Sequence, residues 1–383
     1  MKQCYPWKSF FVAAVFVGQA FFGSLTVAET VNQPTAQTTS WPVLDGPVEF
    51  FYSPFDNAHQ PIVDAIDSAQ KTVDVVLFHL SDPFVGQALM FAAKRGVQVR
   101  VLFDKGQWRN PADQKLTQDM IDAGVKVVQA SSGFSITHNK AMVIDSKKAV
   151  ISTMNLVRSY MKMLDYGIIT YDRSVITEMN TVFEADLKNV QDNSNFTPPL
   201  SDPNLLWSPV NSKDKLLEFI GSAKKSVHLT VENLGNPDVL KALEEASTRG
   251  VEVHVLVPKC GIGKSNYNWP FVDELRKNKV DAKVVPGPAS SDVPYVHAKS
   301  MVVDSERMYI GSENFSNNSL LAAREVGILF PDTKIADHLE QLFSMVWAKS
   351  EVPPEDPNYT CSAFDPIGQP VFSAITHFFD FVQ

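Results

Sequence analysis

Two stretches of nine residues constrain this chain more than any other feature, because they repeat one pattern of polar residues. The first covers residues 137–145 and reads THNKAMVID, and the second covers residues 296–304 and reads VHAKSMVVD. Each has the spacing His-x-Lys, four residues, then Asp, with an asparagine ten residues further on. The residues are His138, Lys140, Asp145 and Asn155 in the first copy and His297, Lys299, Asp304 and Asn314 in the second. Identical internal spacing in both halves of the chain indicates a duplication.

The rest of the chain repeats as well. The block 95–99 (RGVQV) recurs at 249–253 (RGVEV), and the offset of 154 residues grows to 159 at the two histidines. A period this long indicates duplicated domains rather than a solenoid. In each half, β-rich runs alternate with segments of helical periodicity, which predicts an α/β fold with a sheet packed between helices.

Composition changes along the chain predict its domain boundaries. Lys2 and Lys8 precede an apolar run over 10–22, and the small-residue stretch that follows ends at Ala28, as in a signal peptide. We therefore expect a secreted or periplasmic protein. An uncleaved N-terminal membrane anchor is the alternative, because the stretch is only marginally long enough to span a bilayer. The predicted segments are a signal peptide (1–28), a flexible segment (29–45), a first domain (46–191), a linker (192–204), a second domain (205–349) and a C-terminal tail (350–383).

Charge and cysteine content narrow the classes of function. The net charge of -9 disfavours a protein that binds nucleic acid through its overall field. An exported chain would retain Cys260 and Cys361, which we expect to form one disulfide, with two unpaired buried cysteines as the alternative. The cysteines and histidines do not have the spacing of a zinc site, so we expect no metal.

The repeated motif places its polar residues on one face of a strand. Residues two apart in a strand point the same way, so each histidine shares a face with the lysine of its own copy. The polar reversals at 145–148 and 304–307 predict that each strand continues into a hairpin. With two-residue loops, the pairing would set His138 opposite Asn155 and His297 opposite Asn314.

Two such hairpins facing each other have the groups that cleavage of a phosphodiester needs. Two lysines and two amides neutralise the phosphate charge. One imidazole attacks phosphorus, and the other protonates the leaving group and then activates water. The chemistry requires no metal or cofactor. For Asp145 and Asp304, a structural role in the turn is as plausible as direct catalysis.

Each histidine also needs a carboxylate that fixes its tautomer. Asp165 follows Asn155 by ten residues, and Glu325 follows Asn314 by eleven. Pairing by chain order predicts that Asp165 supports His138 and that Glu325 supports His297.

These residues resemble the signature of the phospholipase D superfamily, H-x-K-x4-D-x6-G-[ST]-x-N in two copies. The second copy matches throughout, at His297, Lys299, Asp304, Gly311, Ser312 and Asn314, and the first matches at His138, Lys140, Asp145, Thr153 and Asn155. Ser152 stands where the family has glycine. The resemblance implies two α-β-α sandwich halves around a pseudo-twofold axis, with one active site at their interface. It also implies a phosphohistidine intermediate on His138, with His297 as the acid and with Thr153, Asn155, Ser312 and Asn314 near the substrate.

The sequence favours an exported phospholipase D-type phosphodiesterase that hydrolyses the head-group bond of a glycerophospholipid. An exported metal-independent nuclease with the same site is the alternative, and a non-enzymatic scaffold with a relict site is a third hypothesis. For the first, we expect a phospholipid or another phosphodiester as substrate, peripheral contact with a membrane, and a monomer.

Overall fold

The structure is a computed structural model that describes residues 41–54, 59–261, 266–287, 293–355, 359 and 361. The predicted signal peptide and membrane anchor, residues 29–40 of the predicted flexible segment and residues 362–383 of the predicted tail lie outside the described residues. Within the described ranges, no helix combines the length and the hydropathy that crossing a membrane requires.

The two halves contain the same seven strands and four longer helices in the same order and differ in their short helices. The first half consists of β1 (Val48–Ser53), α1 (His59–Asp67), β2 (Thr72–Leu77), α2 (Pro83–Lys94), β3 (Gln98–Phe103), α3 (Pro111–Asp122), β4 (Lys126–Gln129), β5 (Lys140–Ile144), β6 (Lys148–Ser152), β7 (Asp165–Thr170) and α4 (Arg173–Asp192), with 3-10 helices at Lys105–Trp108 and Arg158–Lys162. The second consists of β8 (Leu205–Ser208), α5 (Ser212–Gly221), β9 (Ser226–Val231), α6 (Pro237–Thr248), β10 (Glu252–Pro258), α7 (Trp269–Lys277), β11 (Asp281–Val285), β12 (Lys299–Val303), β13 (Arg307–Gly311), α8 (Asn317–Leu321), β14 (Glu325–Pro331) and α9 (Thr333–Trp347).

Each half forms one seven-stranded mixed sheet, and the two sheets have equivalent strand orders. The orders are β1-β7-β6-β5-β2-β3-β4 and, read in the opposite direction, β8-β14-β13-β12-β9-β10-β11. The predicted duplication and the α/β class are therefore confirmed. The boundaries predicted for the domains stay proposals; α4 ends at Asp192 and β8 begins at Leu205.

Short polar residues begin the helices, and apolar runs form the central strands. Asp82, Asn110 and Asn236 cap α2, α3 and α6 through their side chains, and a proline follows each cap. The central strands β5 and β12 are buried along their whole length, as expected for strands covered on both faces.

The cores explain how the halves are held together. One apolar cluster joins α1, α2 and α3 to the first sheet, and another joins α5, α6 and α7 to the second. A third cluster contains residues from α4, α9 and both sheets, among them Ile168, Met179, Ile328 and Leu339. The inner faces of the two sheets therefore share one core, which fixes the position of one half against the other.

A buried ion pair reinforces this contact between the halves. Arg324, which immediately precedes β14, is 1% exposed, and its Nη2 lies 2.9 Å from Oδ1 of Asp186 in α4. The same guanidinium donates through Nε to the other carboxylate oxygen of Asp186 at 3.0 Å and through Nη1 to Thr197 of the linker at 3.1 Å. Removing one partner would leave a buried charge uncompensated, which is costly.

The predicted hairpins exist, but their register is shifted by one residue. Ile144 lies opposite Lys148 in the first hairpin, and the second has the equivalent register. Each loop contains three residues rather than two, and its first two residues have positive φ: Asp145 and Ser146, and Asp304 and Ser305. Aspartate tolerates this left-handed conformation better than most residues. The predicted alignment of each histidine with the asparagine of its own copy is therefore wrong.

The structure accounts for Ser152 in the first copy of the motif. At the equivalent Gly311, a Cβ atom would lie 2.5 Å from Oε2 of Glu313 and 2.5 Å from the hydroxyl of Tyr309. The first half has Met154 at the position of Glu313 and a valine at that of Tyr309. Those two polar atoms are thus missing beside Ser152, and a small side chain fits.

A disulfide joins Cys260, after β10, to Cys361, with a Cα–Cα distance of 5.7 Å. It ties one described residue of the C-terminal segment to the second half.

Candidate active site

Backbone hydrogen bonds between the halves bring the two histidines to one place. The amide of His138 donates to the carbonyl oxygen of Arg324 at 2.9 Å, and the amide of His297 donates to that of Leu164 at 3.2 Å. Residue 137 forms a parallel bridge with Arg324, and residue 296 forms one with Leu164. Each histidine segment therefore lies beside the residue that precedes β7 or β14 of the opposite half.

The carboxylates that support the histidines are exchanged between the halves. Nδ1 of His138 lies 2.8 Å from Oε2 of Glu325, and Nδ1 of His297 lies 2.8 Å from Oδ1 of Asp165. The predicted pairing by chain order is wrong, because the bridges just described place each acid beside the histidine of the other half. In the tautomer that donates from Nδ1 to the carboxylate, Nε2 keeps its lone pair.

Thr153 and Ser319 hold these acids in place. The hydroxyl of Thr153 donates to Oδ1 of Asp165. The hydroxyl of Ser319 donates to Oε1 of Glu325, and Ser312 accepts from the amide of Val326 at 3.2 Å. Thr153 and Ser312 are both fully buried. Thr153 contacts the carboxylate behind His297 and Ser312 contacts the backbone of Val326; their predicted role in binding substrate stays a prediction.

Asp145 and Asp304 lie at the far ends of β5 and β12 from the histidines. Asp145 accepts backbone hydrogen bonds from residues 70, 71 and 72 at 2.7–2.9 Å. Asp304 accepts from residues 224, 225 and 226 and also pairs with Arg307 at 2.7 Å. These amide hydrogen bonds lower the pKa of both carboxyl groups in spite of their partial burial. Direct catalysis by Asp145 and Asp304 is excluded by this placement, and the turn-anchoring alternative is the one observed.

Both lysines are buried beside the histidines. Nζ of Lys140 donates to the carbonyl oxygen of His138 at 2.5 Å, and Nζ of Lys299 donates to that of His297. Burial, together with the charge of Lys299, outweighs nearby carboxylates and lowers the pKa of Lys140 to about 7. An anion such as a phosphate would restore the favourable environment of these ammonium groups.

The two asparagines of the motif reach the same region. Nδ2 of Asn155 lies 3.4 Å from Nε2 of His297, so this asparagine meets the histidine of the opposite half. Oδ1 of Asn155 is buried without a hydrogen-bond partner. Oδ1 of Asn314 accepts from the amide of Asn233 at 3.1 Å, which orients its amide.

Burial controls the charge of the first histidine and its acid. Desolvation, together with the charges of Lys140, Lys299 and His297, lowers the pKa of His138 well below its usual range. Burial raises the pKa of Glu325 to about 8, against the opposing effect of Lys140. The imidazole of His138 is therefore neutral, and Glu325 is its hydrogen-bond partner at Nδ1.

The sequence prediction missed one residue of the site, Glu232, which directly follows β9. Its Oε2 lies 2.9 Å from Nζ of Lys299 and 3.6 Å from Nε2 of His297, and its Oε1 accepts from the hydroxyl of Tyr295 at 3.2 Å. The signal was available: at the offset of 154 residues the equivalent of Glu232 is Phe78, so the copies differ in charge at one position.

Phe78 gives the first histidine different surroundings. Its ring packs edge-on against His138, with centroids 4.8 Å apart, and Nζ of Lys140 lies 5.2 Å from the ring centroid. Each histidine–lysine pair thus has one distinguishing neighbour, an aromatic ring in the first half and a carboxylate in the second.

Within the described residues, no group of three or more His, Cys, Asp or Glu side chains is arranged to hold a metal ion. The prediction that the reaction requires no metal or cofactor stays a prediction.

Residues 62–187 and 216–347 each match one family model, described as "Cardiolipin synthase, PLD-like domain". Among curated proteins, cardiolipin synthase A of Wigglesworthia glossinidia brevipalpis is 24% identical over 341 residues, which is 78% of this chain and 67% of that protein. The probable cardiolipin synthase YwiE of Bacillus subtilis is 24% identical over 329 residues, which is 76% of this chain and 64% of that protein. The chain thus spans about two thirds of the length of these relatives.

Solved structures share the fold. Phosphatidylserine synthase of Haemophilus influenzae superposes with a TM-score of 0.62 at 13% identity, covering 80% of this chain and 87% of that protein. Polyphosphate kinase of Porphyromonas gingivalis superposes with a TM-score of 0.61 at 15% identity, covering 88% and 52%. At these identities the likeness concerns the fold alone.

The prediction of a secreted or periplasmic protein is wrong. The relatives reported above are named as cardiolipin synthases, and neither name describes a secreted or periplasmic protein. The comparisons support phospholipid chemistry of the phospholipase D type. They do not support the more specific prediction of a hydrolase or a nuclease.

Proposed function

The chain belongs to the phospholipase D superfamily, and from this premise we propose that it cleaves the head-group phosphodiester of a glycerophospholipid and passes the phosphatidyl group to an acceptor hydroxyl. The observation that carries the proposal is the reciprocal arrangement of the histidines, each with Nδ1 on a carboxylate of the opposite half at 2.8 Å. Such a pair supplies a nucleophile and a proton donor within one buried site.

In the first step, the lone pair on Nε2 of His138 attacks phosphorus. The bond between phosphorus and the head-group oxygen breaks, and that oxygen takes the proton from Nε2 of His297. His138 suits the nucleophile because its lowered pKa keeps it neutral. His297 suits the acid because its ring lies between two carboxylates, with Nδ1 on Asp165 at 2.8 Å and Nε2 facing Glu232 at 3.6 Å.

In the second step, Nε2 of His297 takes a proton from the acceptor hydroxyl, whose oxygen attacks phosphorus. The bond between phosphorus and Nε2 of His138 breaks, and the free imidazole returns. Lys140, Lys299 and the asparagine amides stabilise the phosphoryl oxygens in both steps by charge-assisted hydrogen bonds.

The acceptor decides between transfer and hydrolysis. Water as the acceptor gives the hydrolysis that the sequence predicted, and an alcohol gives a phosphatidyl transfer, as a synthase performs. His138 and His297 are only 8% and 2% exposed. This burial restricts the access of water and of alcohols alike, so transfer to an alcohol is supported by the likeness to cardiolipin synthases.

A substrate in a bilayer requires peripheral contact with the membrane. Phe84, in the first turn of α2, is 53% exposed, and the guanidinium of Arg158 lies 4.4 Å from the centroid of its ring. The bridge between residues 80 and 156 keeps these segments together beyond the ends of β2 and β6. An exposed aromatic ring beside a cation suits the interface of an anionic membrane. Because one chain supplies both histidines, we expect a monomer.

The test is an assay of purified protein on vesicles of defined phospholipids, with and without glycerol or another alcohol as acceptor. We expect release of the head group and, with alcohol present, formation of the exchanged phospholipid. His138→Ala should abolish both, whereas the matched control His254→Ala, in β10, should retain them. Absence of any product from every phospholipid class would refute the proposal. Cleavage of single-stranded DNA or RNA, abolished by His138→Ala, would favour the nuclease alternative.

A further inference from the structure

The site is asymmetric at one pseudo-equivalent position, and the asymmetry lies where the head group leaves. Glu232 and Phe78 occupy equivalent positions after β9 and β2. Phe78 is a neutral neighbour of His138, whereas Oε2 of Glu232 lies 3.6 Å from Nε2 of His297. The nitrogen that hands its proton to the departing oxygen therefore has a carboxylate beside it.

Several contacts fix the position of this carboxylate. Glu232 is 7% exposed, and its two oxygens are held by Lys299 at 2.9 Å and by the hydroxyl of Tyr295 at 3.2 Å. Its backbone carbonyl oxygen accepts from Asn268 at 2.8 Å and from Tyr267 at 3.2 Å. A side chain held on both oxygens stays beside His297 instead of moving aside when a ligand enters.

The carboxylate is also permanently charged. Burial alone would raise the pKa of Glu232, but the charges of Lys299 and His297 and the hydrogen bond from Lys299 outweigh burial and lower the pKa to about 2. The negative charge is therefore present throughout the neutral range.

We propose that Glu232 selects the leaving group, so that the enzyme accepts head groups without a negative charge of their own and rejects those that carry one. The inference rests on the proposed function, because that function places the departing oxygen at His297. A hydroxyl-bearing head group can donate to the carboxylate. A head group with a phosphate or carboxylate must instead approach a fixed anion in a site that solvent screens weakly.

The scissile phosphate itself is not excluded by this charge. Lys140, in the other half of the molecule, supplies a positive charge for the phosphoryl oxygens, and the asparagine amides supply hydrogen-bond donors. Glu232 therefore discriminates on the head-group side of phosphorus and not on the lipid side. A nucleic-acid strand presents a further phosphate on each side of the scissile one, so the same residue disfavours the nuclease alternative.

The experiment compares two lipids that differ only at the head-group terminus: phosphatidylglycerol and phosphatidylglycerol phosphate. Each is presented at the same low mole fraction in neutral mixed micelles, so that the surface charge is nearly equal. Head-group release is measured as kcat/KM. We expect the wild-type protein to prefer phosphatidylglycerol at least tenfold and Glu232→Gln to reduce this preference to less than about threefold.

Control variants separate selection from a general loss of activity. Glu232→Asp keeps the charge and should keep most of the preference. Phe78→Leu changes the equivalent position on the side of His138 and should leave the preference unchanged, even where it lowers the rate.

Three results would overturn the inference. One is a wild-type protein that cleaves both lipids equally, which needs no variant to observe. The second is a Glu232→Gln variant that loses activity on both lipids in the same proportion. In that case the only role of Glu232 would be to neutralise the charge of Lys299. The third is a Glu232→Asp variant that loses the preference. Absence of activity on every phospholipid would instead refute the proposed function, so the two failures are distinguishable.

Discussion

Each half supplies the carboxylate for the histidine of the other half, so Asp165→Asn and Glu325→Gln should impair different steps of the reaction. Asp165 contacts His297, the proposed acid, and Glu325 contacts His138, the proposed nucleophile, each at 2.8 Å. Both variants remove the group that fixes a ring tautomer, and positioned acid–base groups contribute about 10²- to 10⁴-fold to rates. On a phospholipid, whose alkoxide leaving group needs a proton, both variants should lose activity in that range.

A better leaving group separates the two roles. p-Nitrophenolate departs without protonation, so formation of the intermediate from a p-nitrophenyl phosphodiester needs the nucleophile but not the acid. In a stopped-flow assay of the first turnover, we expect Asp165→Asn to lower the burst rate less than about tenfold. Glu325→Gln should lower it about 10²-fold or more.

The reverse outcome would refute this reasoning. If Asp165→Asn abolished the burst while Glu325→Gln retained it, the acids would act on the histidines in chain order, or the histidines would have the opposite roles. Equal losses in both variants would contradict the assignment of different roles to the two histidines. Thermal unfolding of each variant is the control for a general loss of structure.

Three further predictions concern stability. Asp145→Asn and Asp304→Asn should each lower the free energy of unfolding by about 1–3 kcal/mol in urea, because each substitution weakens three amide hydrogen bonds. The folded fraction of each variant should keep its kcat in an activity assay. Asp186→Asn should cost about 3–5 kcal/mol in urea unfolding, because Arg324 stays buried without its counter-charge. Burial, together with the charge of a nearby carboxyl group, raises the pKa of Glu313 to about 8 from an unfolded value near 4.5. Between these pKa values the folded state holds more protons than the unfolded state, so the free energy of unfolding of the wild-type protein falls as the pH rises. In Glu313→Gln this fall should be smaller by about 3 kcal/mol between pH 5 and pH 8, as measured by thermal unfolding. An equally steep fall in that variant would contradict the assignment.

The sequence predicted the parts of the molecule that depend on repetition and local pattern. The doubled His-x-Lys motif predicted two halves, and alternating strand and helix signals predicted the α/β class, which the two equivalent sheets confirm. The prediction that His138 and Lys140 share one face of a strand stays a prediction, because β5 begins at Lys140 and Nζ of Lys140 donates to the backbone carbonyl oxygen of His138.

The errors lie where tertiary structure decides. The hairpin register differs by one because Asp145 and Ser146 accept positive φ, which permits a three-residue loop that turn composition did not indicate. The carboxylates exchange partners because a backbone pairing between the halves sets Leu164 beside residue 296. No spacing within one copy contains that information.

Glu232 is a different kind of omission. The sequence shows it as a charged residue at the end of an apolar strand, at the position that Phe78 occupies in the first copy. Motif residues are found by what the two copies share, whereas Glu232 is informative because the copies differ there.

The most direct test of the account is to trap the covalent intermediate. In His297→Ala, a p-nitrophenyl phosphodiester should still react with the nucleophile, but the base that activates the acceptor is missing, so the adduct should accumulate. Acid-free quenching and peptide mass spectrometry should find the remaining phosphoryl monoester bonded to a ring nitrogen of His138, with one nitrophenolate released for each adduct. An adduct on another residue, or rapid turnover without any adduct, would contradict the claim that two halves form one site with His138 as its nucleophile.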